Sequence, residues 1–91
     1  MSKLLNLNRL NLHWIETALE GWVVIEEANV KRTLVKEMCR ELVFICRDQR
    51  NRAIKAEKFY EKYRNDIPYA DKQDILLLLL EMLKYAKHNG I

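Results

Sequence analysis

The sequence predicts an all-α fold, a three-helix antiparallel bundle with one long central helix, in a single domain of residues 1–91. Only two glycines and one proline occur in the chain, whereas a β-sandwich or barrel needs a turn about every 8–12 residues. Two cysteines are too few for a small fold held together by disulfides. Apolar residues (49%) and charged residues (32%) are balanced as in a globular protein with one core.

The first predicted helix covers residues 7–28, where apolar side chains recur on one face at helical spacing. Trp14 and Trp22 lie on that face. The opposite face is acidic and carries Glu16, Glu20 and Glu27. Short strands near residues 5–12 and 22–25 are the alternative, because apolar and polar residues alternate in the first segment and β-branched residues cluster in the second.

The second predicted helix covers residues 30–64 and follows a turn at Ala28–Asn29. Apolar positions keep one helical phase from Leu34 to Tyr63, which favours a single long helix. The consecutive polar residues 48–51 leave an alternative, in which the helix breaks there and the chain folds as a monomeric four-helix bundle.

The third predicted helix covers residues 70–88 and begins after Pro68, which disfavours helix in the residue before it. Asp71 and Asp74 fall in its first turn, where the helix dipole favours acidic side chains. Asn89–Gly90 predicts a left-handed stop at the other end.

In the predicted three-helix bundle, the helices have more apolar surface than one copy of the chain can bury. The central helix would be about 51 Å long, whereas a compact monomer of this size is roughly 30 Å across. Residues 75–80 are apolar on every side, and Val43, Phe44 and Ile54 fall on the polar side of the central helix. This surplus predicts a homodimer or binding to a larger protein. Trp14 is a fourth candidate contact residue, because tryptophan is favoured at interfaces.

A basic stripe is predicted on the solvent side of the central helix. Residues 31–64 carry eleven positive and five negative charges, a net charge of +6, whereas the net charge of the whole chain is +3. Arg40 and Asn51 belong to the stripe, and such a row can bind phosphates. The candidates for contact with nucleic acid or an acidic partner are Arg47, Arg50, Lys55, Lys58 and Lys62. The alternatives are a solvated face with ion pairs along the helix, and pairing with the acidic face of the first helix.

The sequence contains no catalytic or metal-binding pattern that stands out. The two histidines, His13 and His88, lack the Glu-x-x-His spacing of di-iron bundles. Glycine-rich phosphate loops and Gly-x-Ser-x-Gly elbows are also missing. Cys39 and Cys46 are interpreted as small buried thiols. We therefore expect no enzyme activity, no cofactor and no bound metal.

These observations predict a small non-enzymatic protein-interaction module that acts through apolar helix surfaces, such as a regulator, adaptor, chaperone-like factor or immunity-type inhibitor. The alternative is a nucleic-acid-binding protein that uses the basic stripe. Polar residues interrupt the apolar runs of the first residues, unlike in a secretory signal. The longest apolar run, residues 75–80, is far shorter than the ~20 residues of a membrane span. We therefore expect a cytoplasmic protein without a membrane span.

Overall fold

Four helices make up the regular structure of residues 9–88, which are the residues that the computed structural model describes. They are α1 (Arg9–Trp22), α2 (Ala28–Arg47), α3 (Arg52–Tyr63) and α4 (Lys72–His88). Each helix packs against the next along the chain, and α4 also contacts α2. The molecule is compact, with Cα extents of 38 × 27 × 18 Å. The predicted all-α fold is confirmed, in its four-helix form.

The first helix ends earlier than predicted, at Trp22 rather than at residue 28. Residues 23–27 leave the helix without forming a strand. The backbone N–H of Val24 donates to the carbonyl oxygen of Asp66 at 3.0 Å, and the side chain of Val23 is buried. The β-prone segment is therefore held by one long-range hydrogen bond rather than by a sheet. The alternative strand near residues 5–12 falls partly outside the described residues, and from Arg9 onward that segment is helical.

Helix α2 begins with a side-chain cap that the sequence analysis missed. Glu27 is the residue before the helix, and its Oε1 accepts a hydrogen bond from the backbone N–H of Val30 at 2.7 Å. This bond satisfies one of the free N–H groups of the first turn. Asn29 lies inside that turn, so the predicted turn at Ala28–Asn29 is wrong.

The predicted long helix 30–64 is also wrong, because the chain turns at residues 48–51. Arg52 donates from Nε and Nη2 to the carbonyl oxygen of Cys46, at 3.2 and 2.8 Å, where α2 ends. Asp48 accepts a hydrogen bond from the N–H of Asn51 at 3.1 Å and forms an ion pair with Lys55 at 2.7 Å. These polar side chains supply partners for backbone groups that a helix end leaves free.

The break removes the length argument for a dimer. Helix α2 has 20 residues and is about 30 Å long, which fits within the 38 Å length of the molecule. Dimerisation is therefore not required by helix length, and only exposed apolar side chains remain in its favour.

Helix α4 begins as predicted, with reciprocal hydrogen bonds between two aspartates. The N–H of Asp74 donates to Oδ1 of Asp71 at 3.0 Å, and the N–H of Asp71 donates to Oδ2 of Asp74 at 2.9 Å. This arrangement resembles a capping box. The helix runs to His88, and the predicted stop at Asn89–Gly90 lies outside the described residues.

The core draws side chains from all four helices and from the turn before α4. Its fully buried large members are Ile15, Leu19, Met38, Leu42, Cys46, Ile67, Ile75, Leu79 and Met82. The apolar run in α4 is only partly enclosed, because Leu77 and Leu80 are about half exposed. A single copy of the chain therefore does not enclose residues 75–80 on every side, in agreement with the predicted surplus of apolar surface.

Candidate protein-interaction surface

The structure exposes two of the four predicted contact residues. Phe44 on α2 is 66% exposed, and Ile54 on α3 is 56% exposed. Val43 is partly buried against the core. Trp14 is also partly buried, and its ring lies 5.8 Å from that of Tyr85 on α4. Phe44 and Ile54 are therefore the stronger candidates for contact with another protein.

The indole of Trp14 has one unusual feature. Its Nε1 is buried and has no hydrogen-bond partner among the described residues. Burying an N–H without an acceptor has a free-energy cost, so packing rather than hydrogen bonding holds this ring in place. The contact with Tyr85 joins the first helix to the last.

An outward-facing row on α2 combines apolar and acidic side chains. Val30, Leu34, Glu37 and Phe44 fall within about 80° of one another on a helix of 3.6 residues per turn. Val30 is 51% exposed, and Leu34 is half-buried. Fourteen residues separate Val30 from Phe44, which corresponds to about 21 Å along the axis. We call this row the α2 face.

A cavity of about 400 Å³ lies at the Val30 end of the α2 face. Ile25, Val30 and Leu34 form apolar parts of its wall, and Glu37 and Asp66 are the charged residues in its lining. Ile25 and Asp66 line it from outside the helix, and the hydrogen bond from the backbone N–H of Val24 to the carbonyl oxygen of Asp66 joins their two segments. We call this cavity the Val30 pocket. It is large enough for a ligand group, and its charge is opposite in sign to that of the whole chain.

The predicted basic residues do not form one continuous stripe. Lys55 pairs with Asp48, and Lys62 pairs with Glu41 at 2.9 Å. The hydrogen bond to Glu41 raises the pKa of Lys62, and the hydrogen bond from Lys55 lowers the pKa of Asp48. Two of the five predicted basic residues are thus paired with acidic residues of the α2–α3 hairpin.

The remaining basic candidates, Arg47, Arg50 and Lys58, are exposed. A second cavity of about 210 Å³ between α2 and α3 gathers Lys55, Lys58 and Lys62 around Ile45 and Phe59. The three lysines that the sequence places at helical spacing therefore do share one site.

Glu41 is central to the α2–α3 contact. Besides its ion pair with Lys62, Oε2 of Glu41 accepts a hydrogen bond from the hydroxyl of Tyr63. Burial and this hydrogen bond together raise the pKa of Tyr63 to about 12. The hydroxyl is therefore protonated at neutral pH and acts as a donor.

The acidic face of α1 contributes to a third cavity, of about 440 Å³, on the other side of α2. Glu16 lines it together with Lys36 and Arg40. Glu16 of the acidic face and Arg40 of the basic stripe therefore lie at one cavity, whereas Glu27 caps α2 instead of pairing with the stripe.

The two thiols are buried and free, as predicted. Burial raises the pKa of Cys39 to about 11, with a smaller contribution from Glu16. Burial also raises the pKa of Cys46, whose Sγ lies 3.9 Å from the carbonyl oxygen of Leu79. Thiols with raised pKa values are weak nucleophiles and poor metal ligands at neutral pH.

Among the side chains that the structure describes, those of residues 12–85, there is no cluster of three His, Cys, Asp or Glu residues that could hold a metal ion. None of the helices described above is both long enough and apolar enough to cross a membrane.

Sequence reasoning missed the Val30 pocket. The spacing of Val30, Leu34 and Phe44 places them on one face of α2, but the sequence analysis assigned Leu34 to the apolar side of the central helix and Phe44 to its polar side. The pocket itself depends on residues 23–27 leaving the helix, for which the sequence offered only the β-prone composition of residues 22–25.

Comparisons with protein-family models, curated proteins and solved structures found no significant match to this chain.

Proposed function

We propose that this chain is a non-enzymatic protein-interaction module that binds through the outer side of the α2–α3 hairpin. The observation that carries the proposal is the exposure of Phe44 and Ile54, two large apolar side chains on neighbouring helices. Aromatic residues are enriched in the energetically dominant positions of protein interfaces. The association can be with a second copy or with a larger protein.

The free energy that would be gained by covering the exposed surface of Phe44 supports this function. A phenylalanine side chain buries about 150–250 Å², so the exposed two thirds of Phe44 amount to roughly 100–160 Å². Covering this area is worth about 2.5–4 kcal/mol at 25 cal/mol per Å². A single exposed apolar residue is common on protein surfaces, but here Ile54 and a largely apolar cavity accompany it.

The test is association measured on the purified chain and on matched variants. Light scattering and sedimentation over a wide concentration range report self-association, and quantitative retention of proteins from the native host reports other partners. We expect Phe44→Glu with Ile54→Lys to abolish the association. Tyr69→Ser is the control, because Tyr69 is 90% exposed in the turn before α4. A chain that stays monomeric and retains the same proteins with and without these changes would refute the proposal.

Nucleic-acid binding is the second candidate, favoured by the cavity that gathers Lys55, Lys58 and Lys62. The ion pairs of Lys55 and Lys62 weaken it, because a paired lysine releases fewer counterions on binding phosphate. Lys58→Glu tests this candidate without breaking either pair. It should weaken binding to DNA or RNA at low salt and reduce the salt dependence, whereas no retention of the unmodified chain at low salt rules the candidate out.

A further inference from the structure

We propose that a second copy of the chain docks on the α2 face, with Phe44 of each copy inserted into the Val30 pocket of the other. This inference rests on the proposed interaction function and specifies its partner and geometry. Two apolar contacts form at once, related by a two-fold axis that passes near Glu37.

The register of the docking follows from the positions of the two features on one helix. Phe44 and Val30 each lie seven residues from Glu37, in opposite directions along the chain. Glu37 is also at the middle of α2, which runs from Ala28 to Arg47. An antiparallel pair of α2 helices centred on Glu37 therefore places Phe44 of each copy opposite Val30 of the other.

Shape supports this arrangement. Phe44 projects from the surface, with 66% of its area exposed. The Val30 pocket offers about 400 Å³ with apolar side chains from Ile25, Val30 and Leu34, which is enough space for a phenyl ring. Both features lie on the same face of the same helix, so a second copy can reach them without a rearrangement of the fold.

Charge supports it as well. The charged residues that line the pocket, Glu37 and Asp66, are acidic, and neither forms an ion pair within the described part of the chain. Phe44 is flanked on α2 by two arginines, Arg40 one turn earlier and Arg47 one turn later. The acidic neighbours at the same spacings, Glu41 and Asp48, are paired with Lys62 and Lys55. Docking therefore brings basic residues around the inserting ring towards the acidic residues around the pocket. Arg40 of each copy also offsets the repulsion between the two Glu37 carboxylates near the axis.

The symmetry makes the assembly finite. A projecting residue and a pocket on different faces of a protein generate open chains, whereas a self-complementary face closes on itself as a dimer. Because Phe44 and the Val30 pocket lie on one line along α2, each dimer uses both features of both copies.

The first experiment compares two matched valine substitutions by sedimentation equilibrium. Val30→Glu places a charge in the pocket wall, and Val24→Glu places the same charge on a neighbouring exposed valine outside the lining. We expect Val30→Glu and Phe44→Glu each to raise the dimer dissociation constant by at least about 100-fold, because a charge enters an apolar contact. Val24→Glu should leave it nearly unchanged.

The second experiment tests the register by disulfide formation between copies. Chains with Val30→Cys, mixed with chains with Phe44→Cys, should form a covalent mixed dimer on mild oxidation, because the proposed pairing brings the two positions together. Val30→Cys alone should not crosslink, because its two symmetry-related positions lie about 21 Å apart along the helix axis, far beyond the reach of a disulfide. The native thiols do not interfere, since both are buried.

Three results would overturn this inference. Crosslinking of Val30→Cys with itself as fast as the mixture would contradict the antiparallel register. A dimer broken by Phe44→Glu but not by Val30→Glu would show that the interaction function holds while the pocket is not the docking site. A chain that is monomeric at all concentrations, yet loses a different partner on Phe44→Glu, would show that the occupant is another protein.

Discussion

Replacing Arg52 with alanine should destabilise the fold by removing the side chain that closes the end of α2. The guanidinium donates two hydrogen bonds to the carbonyl oxygen of Cys46, at 2.8 and 3.2 Å. That carbonyl lies in the last turn of α2, where no further backbone N–H of the helix can reach it. Alanine at position 52 would leave it without this partner.

The size of the effect can be worked out from these bonds. A hydrogen bond to a charged group contributes about 1.5–3 kcal/mol when it is well buried. Arg52 is only half-buried, and its two bonds share one acceptor, so we expect a total loss of about 1.5 kcal/mol. For a domain of this size such a loss lowers the Tm by roughly 6–12 °C.

Thermal and urea unfolding followed by circular dichroism measure the change, at one fixed protein concentration because association shifts the apparent stability. Arg50→Ala is the matched control: it removes the same side chain from an exposed position two residues away, in the same turn. It should change the free energy of unfolding by less than about 0.5 kcal/mol. Equal effects of the two substitutions would refute the idea that Arg52 ends α2, and a continuous helix through residues 48–51 would then regain support.

Four further predictions concern the core, the buried thiol of Cys39 and the start of α4. Leu42→Ala should lower the free energy of unfolding by about 2–5 kcal/mol in urea titrations, because the side chain is fully buried, and a loss below 1 kcal/mol would contradict its central place. Cys39 should react with iodoacetamide about 100-fold more slowly in the native chain than in urea at pH 8, since its pKa is about 11 instead of 9.0; equal rates, read by mass spectrometry, would contradict its burial. Because the folded state holds that proton more tightly, the contribution of Cys39 to stability should fall as pH rises from about 9 to 11, and Cys39→Ala should weaken the loss of stability over this range. Asp71→Ala should cost about 1 kcal/mol by thermal unfolding through loss of the cap on Asp74, with Gln73→Ala, an exposed residue of the first turn, expected to have little effect.

The sequence predicted those elements whose signals are local. The start of α4 could be read from Asp71 and Asp74, because the capping hydrogen bonds join residues three apart. The burial of Cys39 and Cys46 followed from their helical phase. In each case the residues that determine the structure are neighbours in the sequence.

The break of the long helix was harder to predict because the helical phase continues through it. Leu42 on α2 and Phe59 on α3 are both buried, and a helical wheel assigns them to one face whether or not the helix turns between them. The contact that decides the matter runs from Arg52 back to the carbonyl of Cys46. In a continuous helix that carbonyl would accept a hydrogen bond from the backbone N–H four residues later. The polar residues 48–51 therefore suggested a break in the helix but did not establish it.

The Val30 pocket could not be predicted from the sequence, since it joins residues 25–37 to Asp66, which lies far from them in the chain. Its walls come from Ile25, from the first three turns of α2 and from Asp66. The hydrogen bond between Val24 and Asp66 joins residues that are 42 positions apart, and no sequence pattern predicts it. The exposure of Phe44, in contrast, followed from its place on the polar side of the predicted helix.

The contact between the rings of Trp14 and Tyr85 gives the chain an internal fluorescence reporter. These two rings connect the first and last helices at 5.8 Å, so any motion that separates the helices moves the indole from a largely apolar site into water. With Trp22→Phe, the emission of the chain comes from Trp14 alone, because the sequence contains two tryptophans. A red shift that precedes the loss of helical signal during denaturation would then reveal that the bundle opens between its first and last helices.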